Sequence, residues 1–172
     1  MTTVTEVLLH DDGDIPNNAR LPLLVYQGAA EAEGGDAEDA LEAVFAANGW
    51  GNGWRGGVIF AYHHYHSTSH EVVGIGRGRA RVQFGGPDGP VLAVAAGDAV
   101  LIPAGVGHCC IEAGDDLSVV AAYPPGFNPD MCRQGEADPE GVRRRVAGVP
   151  VPDADPILGA AGGVVDLWQA RP

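Results

Sequence analysis

The sequence predicts an all-β protein, and three observations carry that prediction. Its 26 glycines and 13 prolines fall between short apolar runs rather than in repeats. From position 58 onward those runs recur at short intervals, broken by "GGPDGP", "AAGD", "PAGVG" and "EAGDD". Clear helical spacing is confined to one early stretch. Short strands with Gly, Pro and Asp punctuation favour a sandwich or barrel over alternating βα units.

Residues 3–9 (TVTEVLL) and 21–26 (LPLLVY) read as strands around the turn-rich "HDDGDIPNNAR". Residues 37–47 carry Leu41, Val44 and Phe45 at helical spacing, with Asp36 as the expected N-cap and a stop before Asn48 and Gly49. Seven strands are then expected at 58–66, 70–76, 79–84, 91–95, 98–102, 108–112 and 117–123. After Tyr123 the chain turns irregular. A short helix around 138–146 and a final apolar piece, "VVDLW", read as a tail that wraps the surface. At 172 residues the chain is expected to form one domain, with N-terminal strands and helix over 1–55, a barrel core over about 56–124 and a wrapping segment over 125–172.

Composition excludes several functions. A net charge of −13 argues against nucleic acid, which needs clustered cations; Arg143, Arg144 and Arg145 sit in acidic surroundings and read as a solvated face. The chain has no lysine, which rules out Schiff-base chemistry and a Walker-type phosphate site. Its serines, at 67, 69 and 118, lie in no G-x-S-x-G elbow. Three cysteines, an N-terminus without an export pattern and no long apolar run lead to the expectation of a cytoplasmic protein with free thiols and no membrane partner.

Four of the six histidines lie between positions 63 and 70, in "YHHYHSTSHEVVGIGRG". Side chains alternate along a strand, so His64 and His66 share a face with Phe60 and Tyr62, while His63 and Tyr65 face away. A turn at Ser67, Thr68 and Ser69 brings Glu71 back beside the pair, and His108 follows a Pro–Gly turn. Three imidazoles and a carboxylate suit a divalent Fe, Mn, Ni, Co, Cu or Zn ion. Taken singly, each residue also has an ordinary structural reading, so the case rests on their joint placement.

These stretches resemble the paired motifs of the cupin superfamily. His64, His66, Glu71 and Gly78 match G-x5-H-x-H-x4-E-x6-G, and Gly97, Pro103, Gly105 and His108 match G-x5-P-x-G-x2-H-x3-N. Two positions depart: Val58 stands where the leading glycine belongs, and Glu112 where the final asparagine belongs. The wider chain resembles a family of small, largely uncharacterised bacterial single-domain cupins, through "IPNNARLPLLVY", "ANGWGNGW", "VVAAYPPG" and "DPILG…LW". The resemblance implies a double-stranded β-helix, a jelly-roll-like barrel, holding one divalent transition metal at its mouth. The expected ligands are His64, His66, Glu71 and His108. The resemblance implies no particular reaction, because cupins include dioxygenases, isomerases, lyases and binding proteins. It also implies, with the apolar N-terminal strands, a homodimer.

A small molecule is the expected partner, and Glu71 is a candidate catalytic base. Six further residues are candidate pocket residues. Phe60 and Tyr62 precede the ligands on the same face, and Tyr123 is a weaker candidate of the same kind. If His108 faces inward, alternation turns Cys110 and Glu112 inward too, with Cys110 either near the metal or simply a small core residue. Arg81 and Gln83 form one polar strand face, either solvent-facing or reaching a substrate carboxylate. His70 is expected on the outer surface or bonded to a turn. Trp50 and Trp54 are expected to cover the barrel or a dimer seam.

Overall fold

The computed structural model describes residues 1–135 and 138–171. Eleven strands form two antiparallel sheets. One has six strands, from β1 (Thr3–Leu9) through β2 (Asn18–Gln27), β8 (Ala99–Ile102), β5 (Glu71–Arg77) and β10 (Ser118–Tyr123) to β3 (Gly51–Gly56). The other orders β11 (Cys132–Arg133), β4 (His64–Tyr65), β9 (His108–Ala113), β6 (Arg79–Phe84) and β7 (Val91–Ala95). The all-β expectation holds, and the two packed sheets form a jelly-roll-like sandwich, as the resemblance implies.

Apolar residues divide into an inner and an outer core. Ile75, Val82, Phe84, Val100, Ile102 and Val119 fill the space between the sheets. Leu24, Tyr26, Val72, Leu101 and Val120 occupy the opposite face of the six-stranded sheet, where helix α1 (Glu38–Ala47) and the chain's last turn cover them. Strand alternation produces both sets: Val72 and Gly74 face the helix, while Glu71, Val73 and Ile75 face the barrel interior. Gly74 is required by that packing, since a Cβ there would sit 2.9 Å from a Leu41 methyl.

The helix is capped one residue off the expected position. Ala37 is the N-cap and offers no side-chain bond, while Asp36, just before it, accepts the Glu38 amide at 2.9 Å. Helix α2 (Pro139–Gly148) forms where expected; Asp138 caps it by accepting the Gly141 amide. The arginine cluster is split rather than uniformly solvated: Arg143 pairs with Asp11 and Arg145 donates to Ser67, leaving Arg144 outermost. The tail ends in a π-helical turn, Val164–Trp168, pinned by Trp168 Nε1 to the Pro22 carbonyl and by Asp155, which accepts from Tyr26 and from the Val164 amide.

One strand expectation needs correction, and one strand was not expected. The strand expected at 58–66 is reduced to His64–Tyr65, because residues 57–63 arch across the barrel end, with the Phe60 carbonyl taking the Cys110 amide. Instead, "GNGWRG" forms β3 along the free edge of β10. Its glycines have low strand propensity, yet Gly53 is what lets it dock: a Cβ there would lie 1.9 Å from the Ala121 carbonyl oxygen. Close backbone approach, not propensity, selects that strand.

Candidate metal centre

Three strands deliver the four side chains to one point. His64 opens β4 and pairs directly with His108, which opens β9; His66 follows β4, and Glu71 opens β5. All four side chains are buried. One nitrogen of each of His64, His66 and His108 lies within 4.8 Å of the other two. Glu71 Oε2 completes the group, 3.2 Å from His66 Nε2 and 3.5 Å from His108 Nε2.

The backbone dictates which nitrogens are free. His64 Nδ1 lies 3.2 Å from the Tyr62 carbonyl, His108 Nδ1 lies 3.1 Å from the Val106 carbonyl, and His66 Nδ1 bonds the Asp130 carbonyl. A carbonyl oxygen only accepts, so each Nδ1 carries the proton and donates. Each Nε2 is thereby turned toward the centre of the group, and outer partners of this kind are how protein sites orient metal-binding imidazoles.

Electrostatics keep His64 and His108 neutral and ready to ligate. Burial pushes the His108 pKa down to about 3 and that of His64 below its ordinary value. Burial opposes ionisation of Glu71, but His66, His108 and the Tyr123 hydroxyl outweigh it and hold the carboxyl at about 2. The same carboxylate raises His66 against the effect of burial. The donor set of nitrogen lone pairs and one carboxylate fits a divalent transition metal.

Above this floor opens a cavity of about 320 Å³. Its walls are apolar, built from Trp54, Val58, Ile59, Phe60, Val73 and Met131. Tyr123 stands at the floor, donating to Glu71 Oε1 at 2.8 Å and accepting Trp54 Nε1 at 2.9 Å.

A cupin-domain family model matches residues 55–123, the stretch that contains all four clustered side chains. The chain is a cupin. This cupin is also 40% identical over 158 residues, 92% of each chain, to a Bacillus subtilis (strain 168) protein described as "Uncharacterized protein YjlB".

The candidate pocket residues of this cupin separate cleanly. Phe60 and Tyr123 line the cavity. Tyr62 lies beside them, stacked on Phe60 at 5.0 Å, but it belongs to the rim: Arg133 sits over its ring at 4.2 Å and donates to its hydroxyl. Arg81 and Gln83 do not reach the cavity, a correction to the anion-binding alternative. Arg81 is exposed near Glu112, and Gln83 donates to the Pro87 and Gly89 carbonyls. The expectation that Cys110 and Glu112 share an inward face also fails. A β-bulge at Ile111 resets the alternation, leaving Cys110 against the inner core and Glu112 in solvent.

The bystanders are instructive. Of the two expected places for His70, the bond to a turn is the one found: it is buried, its Nδ1 accepts the Ala104 amide of the Pro–Gly turn at 2.9 Å and its Nε2 faces the Pro150 carbonyl. It uses the opposite tautomer from the three clustered rings, with neither nitrogen left for a metal. His63 is partly buried, and its carbonyl accepts the Gln134 amide.

The residue that strand reasoning missed is Asp130. Its carboxylate accepts from the Ser67 amide and hydroxyl, the Thr68 amide and the Cys132 thiol, while its carbonyl holds His66. These bonds hold its carboxyl below the ordinary range despite burial. "FNPD" carries no spacing signal toward residues 66–68, so only the folded chain reveals the contact.

Proposed function

We propose that this cupin binds one divalent transition metal through His64, His66, His108 and Glu71, and that it is an enzyme acting on a small molecule as a dioxygenase. The observation that carries the reading is the shared lock on the three Nδ1 atoms, which turns three Nε2 atoms toward an apolar, substrate-sized cavity. When bound, a redox-active ion supplies a site for substrate and dioxygen together. The chain's own residues do the rest. The histidines gather at one point, the apolar walls offer a substrate an apolar surface, and Glu71 holds a proton acceptor at the floor.

A second reading, a non-redox isomerase or lyase, is favoured by one contact. The Tyr123 hydroxyl donates to Glu71 Oε1, so a base and its proton partner are already aligned. Elemental analysis of the purified protein, followed by oxygen uptake against enols, catechols and keto acids, separates the readings. Iron or manganese with substrate-dependent uptake supports the dioxygenase; zinc without uptake supports the isomerase or lyase. A metal-free protein whose His66→Ala variant behaves identically overturns both.

We also propose a cytoplasmic homodimer. The outer edge of β1, the last strand of its sheet, supports the second half of that statement by offering a strand-pairing surface. Sedimentation analysis reads it directly.

A further inference from the structure

Helix α2 (Pro139–Gly148) lies beyond residues 55–123, which carry the cupin match, yet it reaches His66 by two separate routes. Val142, Arg145 and Val146 share one face of the helix by their i, i+3, i+4 spacing. Val142 is buried against Ile15, Tyr65 and Cys132, and Val146 packs beside it, which turns this face toward the segment that holds His66. The first route is polar. Arg145 Nε donates to Ser67 Oγ at 2.8 Å. A guanidinium only donates, so the fully buried Ser67 hydroxyl accepts there and directs its single proton to Asp130 Oδ2. Asp130 Oδ1 takes the Ser67 amide at 2.6 Å, and its carbonyl takes His66 Nδ1. The second route is packing. The Gly105 amide donates to the His66 carbonyl at 2.8 Å, and a Cβ on Gly105 would lie 3.0 Å from both Val146 methyl carbons.

The other two clustered rings are held differently. His64 and His108 each set Nδ1 against a carbonyl two residues earlier in their own segment, Tyr62 and Val106. Of the three, His66 is the ring whose orientation is set from a distant part of the chain, 64 positions away. We propose that helix α2 is a clamp on the metal centre and that Arg145 is its positioning residue. The proposal rests on the reading of His66 as a metal ligand. Arg145 touches no candidate ligand; it acts by fixing the Ser67 hydroxyl and, through it, the Asp130 segment. With α2 docked, His66 Nε2 is held toward the other nitrogens; with α2 detached, both the turn after His66 and the acceptor of its Nδ1 lose their outer support. Docking and metal binding are therefore linked, and each strengthens the other by the same factor.

The test uses Co(II) on the full-length protein, with affinity read by competition against a chromophoric chelator and geometry read from the visible Co(II) bands. Arg145→Met keeps the aliphatic stem and removes the donor. It is expected to weaken Co(II) about 3- to 10-fold, less than loss of a direct partner of the ring, and to shift the bands. Arg145→Lys restores a donor and is expected to recover most of the affinity and the wild-type spectrum. Arg144→Met, on the outermost arginine of the same helix, is expected to change neither. In the wild type, Co(II) is expected to slow amide hydrogen exchange in α2. Should Arg145→Met not fold, that exchange decides: slowing supports the clamp and an unchanged rate overturns it. A wild-type affinity and spectrum in Arg145→Met, or an equal loss in Arg144→Met, also overturns it. Failure of the metal reading looks different: His66→Ala would then bind Co(II) as tightly as the wild type, which overturns the clamp along with the ligand assignment. Tight binding that needs His66 but ignores Arg145 overturns the clamp alone.

Discussion

The backbone carbonyl of Asp130 accepts the Nδ1 proton of His66, a residue 64 positions earlier in the chain. The same residue's carboxylate ties the turn that follows His66, so a wall of the cavity and a candidate ligand move as one unit. Asp130→Ala is expected to weaken Co(II) binding about 10- to 100-fold, measured by competition with a chromophoric chelator. Asn128→Ala is the control. It loosens the same segment at its contact with Asn52, away from His66, and is expected to leave Co(II) affinity unchanged.

Removing the metal should unmask its contribution to stability. Ligand bound only to the folded state adds about 2.7 kcal/mol when its free concentration is a hundred times Kd. The melting temperature of the wild type is expected to fall on chelation. His108→Ala should melt at one temperature with or without chelator, and a persistent chelator effect in that variant would count against the ligand assignment.

Tyr123 sits between two groups that both need it. Tyr123→Phe strands Trp54 Nε1 without an acceptor and removes the donor to Glu71 Oε1. The expected cost is about 1–3 kcal/mol. Denaturant midpoints of the metal-free proteins measure it, while metal content is expected to hold because Tyr123 offers no ligand.

Acid should destabilise the metal-free protein, partly through His70. Burial holds its pKa down to about 4 from 6.5, although the Pro150 carbonyl works the other way. Between those values the unfolded chain binds a proton that the folded chain refuses. The contribution is thus complete above about pH 6.5, is lost as pH falls, and levels off below about pH 4. The amplitude is about 3 kcal/mol. His108, held down to about 3, acts in the same direction. Urea midpoints taken across this range are expected to fall with pH. His70→Gln keeps an acceptor and a donor but does not titrate, and is expected to flatten the slope.

The candidate metal site was legible because its spacing is local. His64, His66 and Glu71 occupy one strand-turn-strand segment, where alternation and turn length suffice to place side chains. His108 came from the second motif, whose Pro–Gly turn marks the start of β9. The same alternation misassigned Glu112, since a one-residue bulge at Ile111 reverses parity and leaves no mark in "HCCIEA". It also misplaced Tyr62, which lies in the arch before β4, where strand periodicity does not apply.

By itself, the amino-acid sequence determined that the chain is all-β, that it resembles the cupins, and that three imidazoles and a carboxylate gather. These follow from local periodicity and motif spacing. Tertiary structure alone decided how the site is finished. Trp54 reaches Tyr123 because Gly53 lets β3 lie against β10. Asp130 fixes His66 because the segment after Tyr123 folds back over the barrel mouth. Arg81 is kept out of the cavity by the sheet face it occupies. Contacts between residues tens of positions apart depend on how the chain packs, and no local pattern encodes them.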